Sequence, residues 1–256
     1  MSNGNTSIIA HSERNLKLDS RLQELKDAIL SVLSGESRER TVRCTVSDEH
    51  TNGDANPSLQ VSLRSTKRGD ALQLKCWSRN HSTADILSVT GEDFWLELFS
   101  EFKGIPVDVL KQAGVRVVAD DKGLIHYEFP YSNDAVRCRW LPKQFWWRDK
   151  GTKSKDCLYY PSPGDDETVI VVEGETDALS LAAAGFHAVG VPGKGLIYES
   201  LLDDSPLRLL PTTVRRVVLV VESDVNDSEI ERLHELIAVG LTNRGIQLDV
   251  VLIGET

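Results

Sequence analysis

The chain has no apolar run long enough to cross a bilayer, and its opening, MSNGNTSIIAHSERN, lacks the basic start and apolar core of a secretory signal. Cysteine is scarce. Cys44, Cys76, Cys138 and Cys157 are too few for a disulfide framework, so thiols or metal ligands are expected, in a cytoplasmic setting with no membrane partner. No Gly-x-x-x-x-Gly-Lys-Ser/Thr phosphate loop occurs, VPGKGL being too short, so helicase activity is not encoded here. Internal repeats and low-complexity tracts are missing too. What remains is an ordinary globular composition, 40% hydrophobic and 27% charged, in 256 residues, enough for more than one core.

The net charge of −10 argues at first against a nucleic-acid partner, but it is unevenly spread. Residues 166–256 hold 16 Asp+Glu against 6 Lys+Arg, which leaves residues 1–165 with 23 of each sign. So acidic a segment repels phosphate unless metal ions sit among its carboxylates.

The pattern changes several times along the chain. Residues 1–15 are polar and are expected to be loose. LDSRLQELKDAILSVLSG then sets Leu22, Leu25, Ala28, Ile29 and Val32 at helical spacing, and Gly35 is a stop. From Thr41 the pattern turns to the short strands TVRCTV, SLQVSLR and ALQLKCW, followed by a helix capped by Ser82 or Thr83. Residues 104–160 carry strand-like pieces in VRVVAD, LIHYEFPY and AVRCRW. From Thr168 apolar strands (TVIVV, FHAVGV, VVLVV, IQLDVVLI) alternate with helical segments, which predicts a parallel sheet covered on both faces.

Three constellations carry chemistry. Glu173 ends the first of those apolar strands, and Glu222 and Asp224 follow the third, at the carboxyl ends where such sheets place their sites. These acids are either helix caps, a role that suits Glu175 and Asp177, or ligands for a cation. Cys44 and His50, six apart, and Cys76 and His81, five apart, form two knuckles at strand ends, a pattern a structural zinc ion can use. RCRWLPKQFWWRDKGTKSK sets Arg137, Arg139, Lys143, Arg148, Lys150, Lys153 and Lys155 among Trp140, Phe145, Trp146 and Trp147. Cations for phosphates and rings for bases suit a single strand; a solvated charged face is the plainer alternative.

VVEGETDALSLAAAG, with an apolar strand ending in Glu-x-Asp some fifty residues later, resembles the Toprim domain of bacterial- and phage-type primases, type IA and II topoisomerases and some nucleases. Glu173 and Gly174 match its Glu-Gly, Asp177 the acid that follows in primases, and Asp224 the second acid of its Asp-x-Asp. Glu222 stands where the family carries Asp. Cys44, Asp48, Pro57, Ser58, Leu59 and Cys76 are similar to the zinc-binding domain that opens such primases, and GIPVDVLKQAGV to the subdomain before Toprim. Ser47 replaces a family histidine, so either His50 and His81 complete the zinc set or the ribbon persists without metal.

The resemblance implies an α/β fold: a Toprim-type parallel sheet covered by helices (166–256), preceded by a mixed α+β, basic and aromatic subdomain (101–165). Before these come a small zinc-ribbon-like β domain (41–100) and a flexible start with an amphipathic helix (1–40). It implies a DNA-dependent RNA primase using Mg²⁺ or Mn²⁺ at Glu173, Glu222 and Asp224, with Zn²⁺ at Cys44, His50, Cys76 and His81. The partners would be single-stranded DNA, ribonucleoside triphosphates and a replicative helicase. A Toprim nuclease and a non-catalytic single-strand-binding module are the alternatives.

Overall fold

The computed structural model describes residues 5–46, 56–120, 124–162, 164, 166–198, 201–221 and 227–253, with residues 5–17, 227 and 234 described by backbone alone. The chain divides into two units. One comprises Met1–Phe102, Arg116–Tyr127 and Arg139–Trp146, the other Lys103–Val115, Glu128–Cys138 and Trp147–Thr256.

The first unit opens with α1 (Asn5–Leu33), which starts well before the expected helix and takes in most of the stretch read as loose. Leu25, Ala28, Ile29 and Val32 form its buried face, as their spacing predicts. Strands β1 (Glu39–Val42), β2 (Leu59–Thr66) and β3 (Gly69–Cys76) make an antiparallel sheet of order β1-β2-β3, in which Val42 faces Leu59 and Leu59 faces Cys76. Alternation sends Leu59 and Val61 inward while Gln60 and Ser62 stay partly exposed. Helix α2 (Thr83–Lys103) is capped by Ser82. The Ser82 hydroxyl accepts from the Asp85 N–H at 3.1 Å, and the Asp85 carboxylate accepts from the Ser82 N–H at 2.7 Å. At Gly91 the backbone leaves helical geometry, so α2 is two helical pieces joined at a kink.

β4 (Arg116–Ala119), β5 (Ile125–Pro130), β6 (Val136–Trp140) and β7 (Gln144–Trp147) form a second sheet in that order, and the division between units falls within β5, β6 and β7. β7 lies in the tryptophan-rich run that sequence alone gave no strand.

In the second unit, α3 (Val107–Gln112) precedes a four-stranded sheet of β8 (Thr168–Glu173), β9 (Ala188–Val191), β10 (Arg216–Val221) and β11 (Gln247–Leu252). Its order is β11-β10-β8-β9 and every pairing is parallel, so the predicted alternation holds. α4 (Glu175–Ala183) joins β8 to β9. A short α5 (Gly195–Tyr198) follows β9, and α6 (Asp227–Leu233) runs through a π-helical turn, His234–Ala238, into α7 (Val239–Asn243) and then β11. Val169, Val171, Val189, Val217, Leu219 and Val221 pack with Leu233, Ile237 and Leu241 into one core. Each fully buried side chain of this kind contributes about 1.5–3 kcal/mol. Among the described residues no helix is long and apolar enough to cross a membrane.

Candidate active site and thiolate cluster

β8 and β10 are hydrogen-bonded neighbours, with Val171 opposite Leu219. The acid-bearing ends of the first and third strands therefore belong to adjacent strands. Glu173 is the last residue of β8, opposite Val191 of β9. Glu222 and Asp224, just beyond β10, lie outside the described residues, as does His50.

The turn after Glu173 is fixed from its own backbone. Gly174 adopts φ +86°, a left-handed value costly for any residue with a Cβ, and its N–H donates to the Val191 carbonyl at 2.8 Å. The Gly174 carbonyl crosses β9 so closely that a Cβ on Gly190 would lie 2.3 Å from its oxygen. Two glycines, one just past β8 and one within β9, are thus required by one crossing. Glu173 Oε1 accepts the Lys194 backbone N–H at 3.1 Å, and Lys194 Nζ lies 3.4 Å from Glu229 Oε1. Asp177 sits exposed in the first turn of α4, where negative charge favours the helix.

Glu175 is not a solvated cap. It is 1% exposed, and its Oε1 accepts both the Tyr131 hydroxyl, at 2.5 Å, and Arg137 Nη1, at 3.0 Å. Its Oε2 is buried with no hydrogen-bond partner among the described residues. Burial opposes the Arg137 charge, but the Glu175 carboxylate and Tyr131 outweigh it and raise the guanidinium pKa above its ordinary value. Burial, then the Glu175 charge, push the Tyr131 hydroxyl well above the usual tyrosine range, so it stays a donor. Tyr131 meets Trp147 edge-on at 5.0 Å and Tyr159 at 5.2 Å, walling the group with rings. Sequence reasoning missed this network. EGET reads as a cap, and Tyr131 and Arg137 stand 44 and 38 residues before the carboxylate they hold.

The basic stretch needs correction at two positions. Arg137 is taken up by Glu175. Arg139 is 4% exposed, with Nη2 donating to the Pro142 carbonyl and its guanidinium 4.7 Å from the Phe145 ring centre. Neither presents its charge on an open face. Trp147 is half-buried and donates to Ser154 Oγ at 2.9 Å, and Lys155 pairs with Asp204 at 2.5 Å. Lys143, Lys150 and Lys153 are exposed, as is Arg148, which lies 3.6 Å from Glu128.

In the first unit, Cys44, Cys76 and His81 converge, their ligand atoms all within 4.8 Å of one another. Cys44 Sγ and His81 Nδ1 are 3.4 Å apart, close to the roughly 3.6 Å between sulfur and nitrogen ligands of a tetrahedral zinc ion. Burial alone would raise the Cys76 thiol. The Arg79, Ser78 and His81 backbone N–H groups and the Ser58 hydroxyl outweigh it and hold the pKa below the ordinary thiol value. Two soft sulfurs and an imidazole suit zinc. The structure thus holds a group of residues fit for a metal ion, and three of the four sequence-predicted ligands belong to it.

No family model matches the chain, and no curated protein does. Among solved structures, a DNA primase domain from Pseudomonas aeruginosa is similar at TM-score 0.46 and 16% identity, over 61% of this chain and 63% of that one. A structure of the bacteriophage T7 lagging-strand DNA polymerase with primase domains of two gp4 subunits, bound to an RNA/DNA hybrid and dTTP, is similar at TM-score 0.41 and 15% identity. That likeness spans 79% of this chain and 84% of the other.

Proposed function

We propose that the chain is a DNA-dependent RNA primase of phage or mobile-element type, joining ribonucleotides on a single-stranded DNA template. One observation carries the reading: Glu173 ends a parallel strand whose hydrogen-bonded neighbour runs directly into Glu222-Ser223-Asp224. Hard carboxylate oxygens at that edge suit Mg²⁺ or Mn²⁺. Glu173, Glu222 and Asp224 would hold the ion. When bound, it would acidify an attacking 3′-hydroxyl and stabilise departing pyrophosphate.

The chain's own groups do the rest. The Lys194 N–H orients the Glu173 carboxylate, and the Tyr131–Glu175–Arg137 network anchors the turn that follows it. Exposed Lys143, Arg148, Lys150 and Lys153 supply phosphate contacts for template and ribonucleoside triphosphate, with Trp147 as a stacking ring. Cys44, Cys76 and His81, with His50 from outside the described residues, would hold a structural zinc ion. A replicative helicase is the protein partner.

Primer synthesis on mixed single-stranded templates with labelled ribonucleotides tests the reading. Wild type makes short RNA that depends on Mg²⁺, and Glu173→Gln makes at least about 100-fold less. Equal product from both overturns it; plasmid nicking without primers replaces it with a nuclease.

A further inference from the structure

The parallel sheet carries another group of polar side chains at its opposite, amino-terminal edge. His187 immediately precedes β9, and its carbonyl accepts the Ile170 N–H at 2.9 Å. Its imidazole is 6% exposed, and among the described residues neither Nδ1 nor Nε2 has a hydrogen-bond partner. Gly164 packs on the ring, where an added Cβ would lie 3.3 Å from Cδ2 and Nε2. The ring lines a cavity of about 380 Å³ with Asp166, Glu167, Thr168 and Phe186. A buried polar atom left unmatched is costly, so this imidazole calls for a further partner.

The surroundings limit what that partner is. Asp166 Oδ2 stands 3.6 Å from Nδ1, too far for a hydrogen bond. Nitrogen and oxygen ligands across a tetrahedral zinc ion lie about 3.4 Å apart, so a small adjustment brings both onto one ion. Among the described residues the cavity is lined by two carboxylates and no Lys or Arg, which disfavours phosphate. Mg²⁺ and Ca²⁺ prefer all-oxygen shells, whereas an imidazole beside a carboxylate suits zinc and its neighbours. The geometry points to a further metal site: His187 and Asp166 bind a divalent transition-metal ion of the zinc class, with water completing its shell. The ion ties the segment entering β8 to the start of β9. This site is independent of the primase reading.

Zn²⁺ and Co²⁺ titrations of the full chain test it in wild type, Cys76→Ser, Asp166→Asn and His187→Gln. Wild type is expected to bind a Co²⁺ equivalent that adds no thiolate-to-metal absorption, and Cys76→Ser to keep one Zn²⁺ equivalent. Asp166→Asn should weaken that equivalent about tenfold or more with the circular dichroism unchanged, and His187→Gln should remove it. Loss of all zinc in a folded Cys76→Ser, or equal affinity in wild type and Asp166→Asn, overturns the site. Should His187→Gln not fold, Asp166→Asn alone decides, because that side chain is 70% exposed.

Discussion

Glu175 shows what one side chain can impose. A carboxylate that deep is tolerated because Arg137 and Tyr131 meet it, and removing either partner leaves a charge or an acceptor stranded. Arg137→Met is expected to destabilise by about 3–5 kcal/mol in urea unfolding, while Arg137→Met with Glu175→Gln recovers much of that loss. Tyr131→Phe, which deletes one hydrogen bond, should cost about 1–3 kcal/mol. Glu173 was legible as a functional residue because a lone carboxylate closed an apolar strand. Glu175 was not, since an acid two residues into EGET satisfies the cap rule equally well. Which rule wins depends on residues far away in the chain.

At the scale of elements, the glycine crossing between β8 and β9 makes a sharper test than any surface change. Gly190→Ala would set a Cβ against the Gly174 carbonyl, backbone that cannot swing aside. A loss of about 1–3 kcal/mol is expected, with the proposed primer synthesis falling further than Tm alone accounts for, because Glu173 precedes that carbonyl. The strands and helices of residues 168–252 were readable from apolar runs and their spacing. Their lateral order was not, since β10 lies against β8 through pairing that no local pattern encodes. β7 was hidden because FWW satisfies both a strand and a stacking surface, and α1 because its first turns carry few apolar residues. The Cys44–Cys76–His81 cluster depends likewise on β1 and β3 ending at the same edge of the sheet, on either side of β2. Chelation, or Cys76→Ser, is expected to lower Tm by several degrees while Cys157→Ser leaves metal content unchanged, as plasma emission spectrometry would read.

For the whole molecule, the tyrosines make stability fall in alkali. Burial raises Tyr127, Tyr131 and Tyr159, and raises Tyr160 to about 12. A hydroxyl with a raised folded pKa contributes its full stability below the unfolded value near 10, and that contribution is lost as pH climbs above it. Absorbance at 295 nm should therefore lag the ordinary tyrosine curve and then rise in one cooperative step, together with loss of circular dichroism. A gradual rise with the fold intact would contradict the burial.

The Tyr131–Glu175–Arg137 network also bears on how the polypeptide can be divided. An excised piece beginning at residue 166 keeps all four parallel strands, yet it leaves behind the phenol and the guanidinium that neutralise an acid at its heart. Such a truncation would misfold or aggregate even though its hydropathy pattern looks self-sufficient. The smallest autonomous segment must reach back at least to Tyr131.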